Sequence, residues 1–399
     1  MEFTWRWFGP NDPIRLDEIK QTGVTGIVTA LNHIPAGQVW DVNEIMKRKS
    51  TIEKEGLKWS VVESVPVHDD IKKQTGDYQL YIDNYKQTIK NLGECGIRTL
   101  CYNFIPMLDW IRTDHNWKLS DGSITARFDI KSFAAFDLFI LQRAGASQSY
   151  PQKILEEAEQ YYKQLDEEGI QNLTKAILLR LPGTEEKYGL EDIHSMIKSY
   201  SHIDRDSMKE HLFYFIRETI PVAEEAGVKM AIHADDPPFP LFGIPRVVST
   251  KQDALDIIKT INSESNGVAL CTGSFGAGHF NNLVDMTKSL AHRINFTHLR
   301  NLTRDEDGNF CEVNHLGGDI DLYHVIKELL LEEHRRKQAG ENDWQIPMRP
   351  DHGQQMLYDI NRTFYPGYSL IGRMKALSEL RGLELGTRRC LFDKQNENL

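Results

Sequence analysis

Short runs of β-branched, aliphatic and aromatic residues alternate along the chain with longer stretches whose apolar positions recur every three or four residues. Eight such runs stand out: Phe3–Phe8, Gly26–Leu31, Trp59–Val65, Thr99–Phe104, Lys229–Ala234, Val268–Thr272, Asn295–Leu299 and Gln345–Met348. Helical periodicity fills the intervals at Ile14–Gln21, Asn43–Glu55, Gln79–Leu92, Lys209–Glu225, Asp253–Ile261, Leu283–Leu290 and Leu322–Glu333, and a last helix is expected over Tyr368–Leu380. Several of these helices are closed by a glycine, such as Gly23, Gly56, Gly96 or Gly227, the residue that most easily takes the left-handed conformation after a last turn. Eight strand–helix repeats predict a (β/α)8 barrel, a TIM barrel.

One crossover departs from this rhythm. From about Met107 to Ser207 a polar loop and helical segments, the clearest over Pro151–Glu168, replace a single helix. We read residues 107–207 as a largely helical insertion after the fourth strand, within one catalytic domain spanning 1–399. The acids Glu156, Glu157, Glu159 and Asp166–Glu168 read as a solvated helix face. No internal repeat, low-complexity tract or proline-rich linker marks a second domain.

At 399 residues the chain is long for one domain, but barrels with insertions reach this size. Its 40% hydrophobic and 26% charged residues are those of a globular protein, which excludes fibrous, disordered and disulfide-scaffold classes. A net charge of −11 repels nucleic acid and anionic lipid. The start Met1-Glu2-Phe3-Thr4-Trp5-Arg6 has no apolar run, and no segment approaches the roughly 20 apolar residues of a membrane span, so a cytoplasmic location is expected. The cysteines, Cys95, Cys101, Cys271, Cys311 and Cys390, form no CxxC pair and read as reduced thiols. The sequence leaves homo-oligomerisation open.

Barrel enzymes work where strands end and loops begin. The fifth strand runs into Ile232-His233-Ala234-Asp235-Asp236-Pro237-Pro238, the sixth into Cys271-Thr272-Gly273-Ser274, the seventh into His298-Leu299-Arg300-Asn301, and the eighth into Arg349-Pro350-Asp351-His352-Gly353. Each residue alone has an ordinary structural reading, but His233, Cys271, His298 and Asp351 together offer imidazole, thiolate and carboxylate to a borderline divalent ion. Adjacent acids seldom both point inward, and two prolines fix an extended loop, so Asp235 and Asp236 are expected at the surface or capping that loop. Gly273–Gly278 fits no phosphate-binding pattern and reads as a tight turn with close backbone approach. Arg300 and Arg349 stand beside the ligand-type residues and suit an anionic substrate, since guanidinium pairs carboxylate bidentately. His352 is a candidate proton shuttle. The loops carrying His68, Asn103 and Asp109 add polar groups that could line a small-molecule site.

At these residues the chain resembles the D-mannonate dehydratases of bacterial hexuronate degradation. The resemblance runs nearly end to end, through Trp5-Arg6-Trp7-Phe8-Gly9, Glu63-Ser64-Val65-Pro66-Val67-His68, Tyr102-Asn103-Phe104 with Asp109-Trp110, the four strand ends quoted above, and Pro366-Gly367-Tyr368. One departure is Ala234, where proline is expected in many members. The resemblance implies a metal-dependent barrel of the xylose-isomerase-like type. It also implies that His233, Cys271, His298 and Asp351 match the ligands of Mn²⁺ or Fe²⁺, and that Arg349, His352 and Tyr368 match residues near the reacting sugar acid. The implied reaction is loss of water from D-mannonate to give 2-dehydro-3-deoxy-D-gluconate. His352 and Tyr368 are the candidates for the two proton transfers, and Arg349 or Arg300 for the substrate carboxylate, with Asn103, Asp109 and His68 as further binding candidates. The alternative is a divalent-metal sugar isomerase or epimerase on the same barrel, which would favour a carboxylate-rich ligand set. A different class again is a nonenzymatic protein around a closed structural zinc.

Overall fold

A computed structural model of the chain describes residues 1–108, 110–179 and 188–393. All eight expected runs form strands, and they close into one parallel barrel. In chain order the twelve strands among the described residues are β1 (Glu2–Arg6), β2 (Gly26–Thr29), β3 (Lys58–Glu63), β4 (Thr99–Tyr102), β5 (Asp114–Lys118), β6 (Ile124–Phe128), β7 (Lys229–His233), β8 (Asn266–Cys271), β9 (Ile294–His298), β10 (Asn301–Arg304), β11 (Phe310–Val313) and β12 (Pro347–Arg349). The barrel runs β1-β2-β3-β4-β7-β8-β9-β12 and back to β1. Among the described residues no helix is long and apolar enough to cross a membrane.

Alternation along the strands decides what faces inward. Val28, Val61, Cys101, Ala231, Ala269 and Phe296, one from each of six strands, form a fully buried cluster separate from the main core, and fill the barrel interior. The intervening residues, such as Ile27, Val62, Leu100, Ile232 and Leu270, belong to the larger core beneath the helices. There Phe215, from the helix Arg205–Glu225, packs edge-on to Tyr85 at 5.0 Å and lies 5.7 Å from Tyr102. Helices end where their glycines indicated, with φ of +75° at Gly96 and +64° at Gly227.

The insertion differs from the expectation in two ways. First, Pro151–Glu168 is not one helix: Gln152–Gln164 ends at an extended Leu165, and Asp166 caps a second helix, Glu167–Ile177, by accepting from the Gly169 amide at 2.8 Å. Second, the excursion is not purely helical. It contributes the hairpin β5–β6, which joins a hairpin β10–β11 from the loop after β9 in an antiparallel sheet of order β10-β11-β6-β5. The pairing sets Phe310 opposite Phe128, whose rings stack at 5.4 Å, and Phe128 also meets Phe133 and Phe239. This aromatic cluster fastens the added sheet to the barrel loops.

Phe310→Ala should therefore cost about 3–5 kcal/mol, the range for deleting a buried aromatic ring. Urea unfolding of the variant against wild type measures it.

Candidate active site

The inward alternation continues one step past the packed interior layer. His233 lies two residues beyond Ala231, Cys271 two beyond Ala269, His298 two beyond Phe296 and Glu63 two beyond Val61, so all four project into the C-terminal mouth. His233 Nε2 and His298 Nδ1 are 3.1 Å apart, and ligand atoms of His233, Cys271 and His298 lie within 4.8 Å of one another. Asp351 completes the set: one carboxylate oxygen is 3.5 Å from Cys271 Sγ and the other 3.9 Å from His298 Nδ1. It reaches this position through a left-handed backbone, φ +57°, a conformation that costs a non-glycine residue strain and is held by its surroundings.

The neighbours suit ligand chemistry. His233 Nδ1 meets the Ala234 carbonyl at 2.7 Å, which places the ring proton there and frees Nε2. Cys271 caps the short helix Thr272–Ala277, and its sulfur accepts from the Ser274 amide at 3.3 Å and the Ser274 hydroxyl at 3.1 Å, which fixes where Sγ points. A second triad, Glu63, Cys101 and His298, is equally compact. However, Arg349 engages both Glu63 oxygens, at 2.8 and 3.0 Å, and burial pushes the Cys101 thiol well up, against thiolate formation.

Around the mouth lies a buried array of charges. Arg112, just before β5, donates to Asp236 at 2.7 and 3.2 Å and to Glu312 on β11 at 3.0 Å. Arg300 donates to the same two carboxylates, at 2.8 and 3.1 Å, and its Nε is 3.3 Å from Asp351. The expectation that Asp236 lies at the surface is thus wrong; the prolines fix the loop so that Asp236 turns in toward two arginines, while Asp235 does cap the loop through Val248 and Ser249. Burial alone would raise the Asp236 carboxyl, but Arg112 and Arg300 hold it well below the usual range. For Glu312, His352, Arg300 and Arg112 overcome the burial penalty and draw the carboxyl from 4.5 down to about 2. Gly273 makes room for this array, because a Cβ there would stand 1.8 Å from Arg300 Nε.

His352 and Tyr368 meet over this array. The His352 ring packs edge-on to Trp110 at 5.0 Å and to Tyr368 at 5.1 Å. Its Nδ1 is 2.9–3.0 Å from the Glu312 oxygens, and its Nε2 faces Asp351 at 3.7 Å. Gly367, at φ +81°, carries the Tyr368 loop across that ring where a Cβ would approach to 3.0 Å. Burial pushes the Tyr368 phenol up to about 12, so it stays protonated at neutral pH.

The geometry thus gathers His233, Cys271, His298, Asp351, Arg349, His352, Arg300 and Tyr368 at one mouth. Arg300 and Arg349 arrive already engaged by carboxylates of the chain itself, Arg349 by Glu63 and by Asp351 at 2.6 Å, so neither presents a free cation for a substrate carboxylate. His68 caps the helix Asp69–Lys73 by accepting from the Asp70 amide at 3.1 Å, and its ring lies tilted against Tyr81 at 3.9 Å. Asn103 is half-buried just past β4, and Asp109 lies outside the described residues.

The sequence profile of the D-mannonate dehydratase (UxuA) family matches residues 1–394. The chain belongs to the D-mannonate dehydratase family. A mannonate dehydratase of a Marinomonas species is 51% identical over 392 residues, 98% of this chain and all of that one. One from Saccharophagus degradans is 48% identical over 384 residues, covering 96% and 97%. The crystal structure of mannonate dehydratase from Streptococcus suis superposes with a TM-score of 0.75 at 33% identity, covering 98% of this chain and 94% of that one. The activity is that of a hydro-lyase, and the isomerase or epimerase alternative is not favoured.

The sequence analysis assigned no role to three of the charged residues at this mouth, Glu63, Arg112 and Glu312, and placed a fourth, Asp236, at the surface or in a loop cap. Two turn signals were there to be used: Asp121-Gly122 and Asp307-Gly308, each between short strand-like runs, are hairpin signatures that would have placed Arg112 and Glu312 beside a sheet.

Arg112→Met leaves two buried carboxylates short of a partner and should cost about 3–5 kcal/mol in urea unfolding, whereas Arg217→Met on an exposed helix face should change stability by less than about 0.5 kcal/mol. Because the Glu312 carboxyl is depressed from 4.5 to about 2, its ion pairs contribute fully above 4.5. The advantage of wild type over Arg112→Met should accordingly shrink as the pH falls from 4.5 toward 2.

Proposed function

We propose that dehydration takes place at this mouth, on a divalent ion, Mn²⁺ or Fe²⁺, held by His233, Cys271, His298 and Asp351. The observation that carries the reading is the approach of two imidazole nitrogens to 3.1 Å beside a thiol and a carboxylate, a donor set of mixed softness. When bound, the ion supplies Lewis acidity that makes the proton on C2 of the sugar acid easier to remove. The electrostatics fit: burial would raise the Asp351 carboxyl, but His352, Arg349, Arg300 and His298 keep it well below the usual range, hence ionised.

The chain's own groups then account for the protons. The C2–H bond breaks and its proton goes to His352 Nε2. The electron pair forms a C2–C3 double bond as the C3–O bond breaks. The departing hydroxyl takes a proton from the Tyr368 phenol and leaves as water. The resulting enol picks up a proton at C3 and loses one from the C2 hydroxyl, giving 2-dehydro-3-deoxy-D-gluconate. Arg349 and Arg300 orient Asp351, and Trp110 and Tyr368 keep the His352 ring from turning. A chain of net charge −11 without a described membrane-crossing helix fits a cytoplasmic enzyme acting on a small anionic metabolite.

Incubating metal-reconstituted protein with D-mannonate and assaying the 2-keto-3-deoxy acid tests the reading. A chelator should abolish turnover and Mn²⁺ or Fe²⁺ restore it, and Cys271→Ser should lose metal far more readily than Cys95→Ser or Cys390→Ser. Equal metal content in all three would remove Cys271 from the site. His352→Asn should keep its metal and lose about 10²–10⁴-fold in kcat, the range for removing a general acid or base. Asp351→Asn should lose metal and activity together.

A further inference from the structure

Glu312 is a buried carboxylate on β11 that takes no part in the proton inventory above. Its Oε1 accepts from Arg112 at 3.0 Å and Arg300 at 3.1 Å, and its two oxygens lie 3.0 and 2.9 Å from His352 Nδ1. We infer that Glu312 is a positioning residue that holds His352 as the Nδ1–H tautomer and so keeps the Nε2 lone pair facing the substrate. The inference rests on the assignment of His352 to proton transfer.

The contacts select one tautomer. Arg300 Nη1 is also 2.7 Å from His352 Nδ1, so a guanidinium proton could be directed at an unprotonated Nδ1. That arrangement would turn the Nδ1 lone pair onto two carboxylate oxygens with no proton between them, a repulsive contact in a dry site. With the proton on Nδ1, the imidazole and the guanidinium both donate to the carboxylate that lies against them, and the two positive edges share one anion. The carboxylate cannot swing away, because Arg112 anchors it from the added sheet while Asp236 holds both arginines. Nor can the ring easily flip, since Trp110 and Tyr368 pack against it edge-on. Only Nε2 is left, on the side of Asp351.

Replacing the carboxylate by an amide should reverse the tautomer. In Glu312→Gln the amide oxygen would stay with the two guanidiniums and the NH₂ would donate to Nδ1, leaving the proton on Nε2, where it blocks proton acceptance. We expect kcat to fall by about 10²–10⁴-fold with KM within about threefold and metal content unchanged, and Glu312→Asp to recover part of the loss. A Glu312→Gln enzyme with kcat within twofold of wild type would overturn the inference.

The tautomer can also be read without turnover. In long-range ¹H–¹⁵N spectra of the full-length, Zn²⁺-loaded protein labelled in histidine, the His352 signals are those missing from His352→Asn. The expected wild-type pattern has Nδ1 protonated and Nε2 bare; the opposite pattern overturns the inference whatever the kinetics, and decides the matter even if Glu312→Gln does not fold. Failure of the proton-transfer assignment would appear separately, as undiminished kcat in His352→Asn.

Discussion

Two guanidinium groups and two carboxylates sit where water does not reach: Arg112 and Arg300 share Asp236 and Glu312. Taking such charges out of water costs several kcal/mol each, and the cost is recovered only when every donor finds an acceptor at good distance. The requirement is geometric, and it reaches through the whole upper half of the molecule. Arg112 comes from the insertion after β4, Asp236 from the loop after β7, Arg300 from the end of β9, and Glu312 from the hairpin that follows it. The four elements meet through these ion pairs, so the array, together with the aromatic cluster around Phe128, sets the register of the loops above the barrel. His352 and Asp351 are then oriented by contact with it.

Below the array the barrel supplies a more generic device. Its interior is filled by aliphatic side chains, Cys101 and Phe296, and the next inward residue on β3, β7, β8 and β9 is a ligand-type side chain: Glu63, His233, Cys271 and His298. The barrel fixes which residues converge, and the added sheet fixes how His352 faces them. The two long excursions bring Glu312 against His352 and Arg112 against Glu312, contacts that the strand ends alone do not provide.

The same division governs how far the amino-acid sequence could be read. Strand runs, helix-closing glycines and the convergence of His233, Cys271, His298 and Asp351 at one mouth were legible because they obey local periodicity, each lying at a fixed offset within its own strand end. Glu312 and Arg112 were not, since their partnership spans 200 residues and leaves no periodic trace. Asp236 was misplaced because adjacent acids seldom both point inward, whereas here Asp235 and Asp236 are both buried, one in a loop cap and the other against two arginines. Arg300 and Arg349 could be seen to lie near the site, but not that the chain's own acids already neutralise them.

The account places one divalent ion against His233, Cys271, His298 and Asp351, with Glu63 occupied by Arg349 and so withheld from it. A crystal of the Mn²⁺-loaded protein, measured for anomalous scattering from manganese, tests this most directly. The account predicts a single peak in contact with those four side chains and the Arg349–Glu63 pair intact. A peak seated instead on Glu63, Cys101 and His298, with Arg349 displaced, would contradict it.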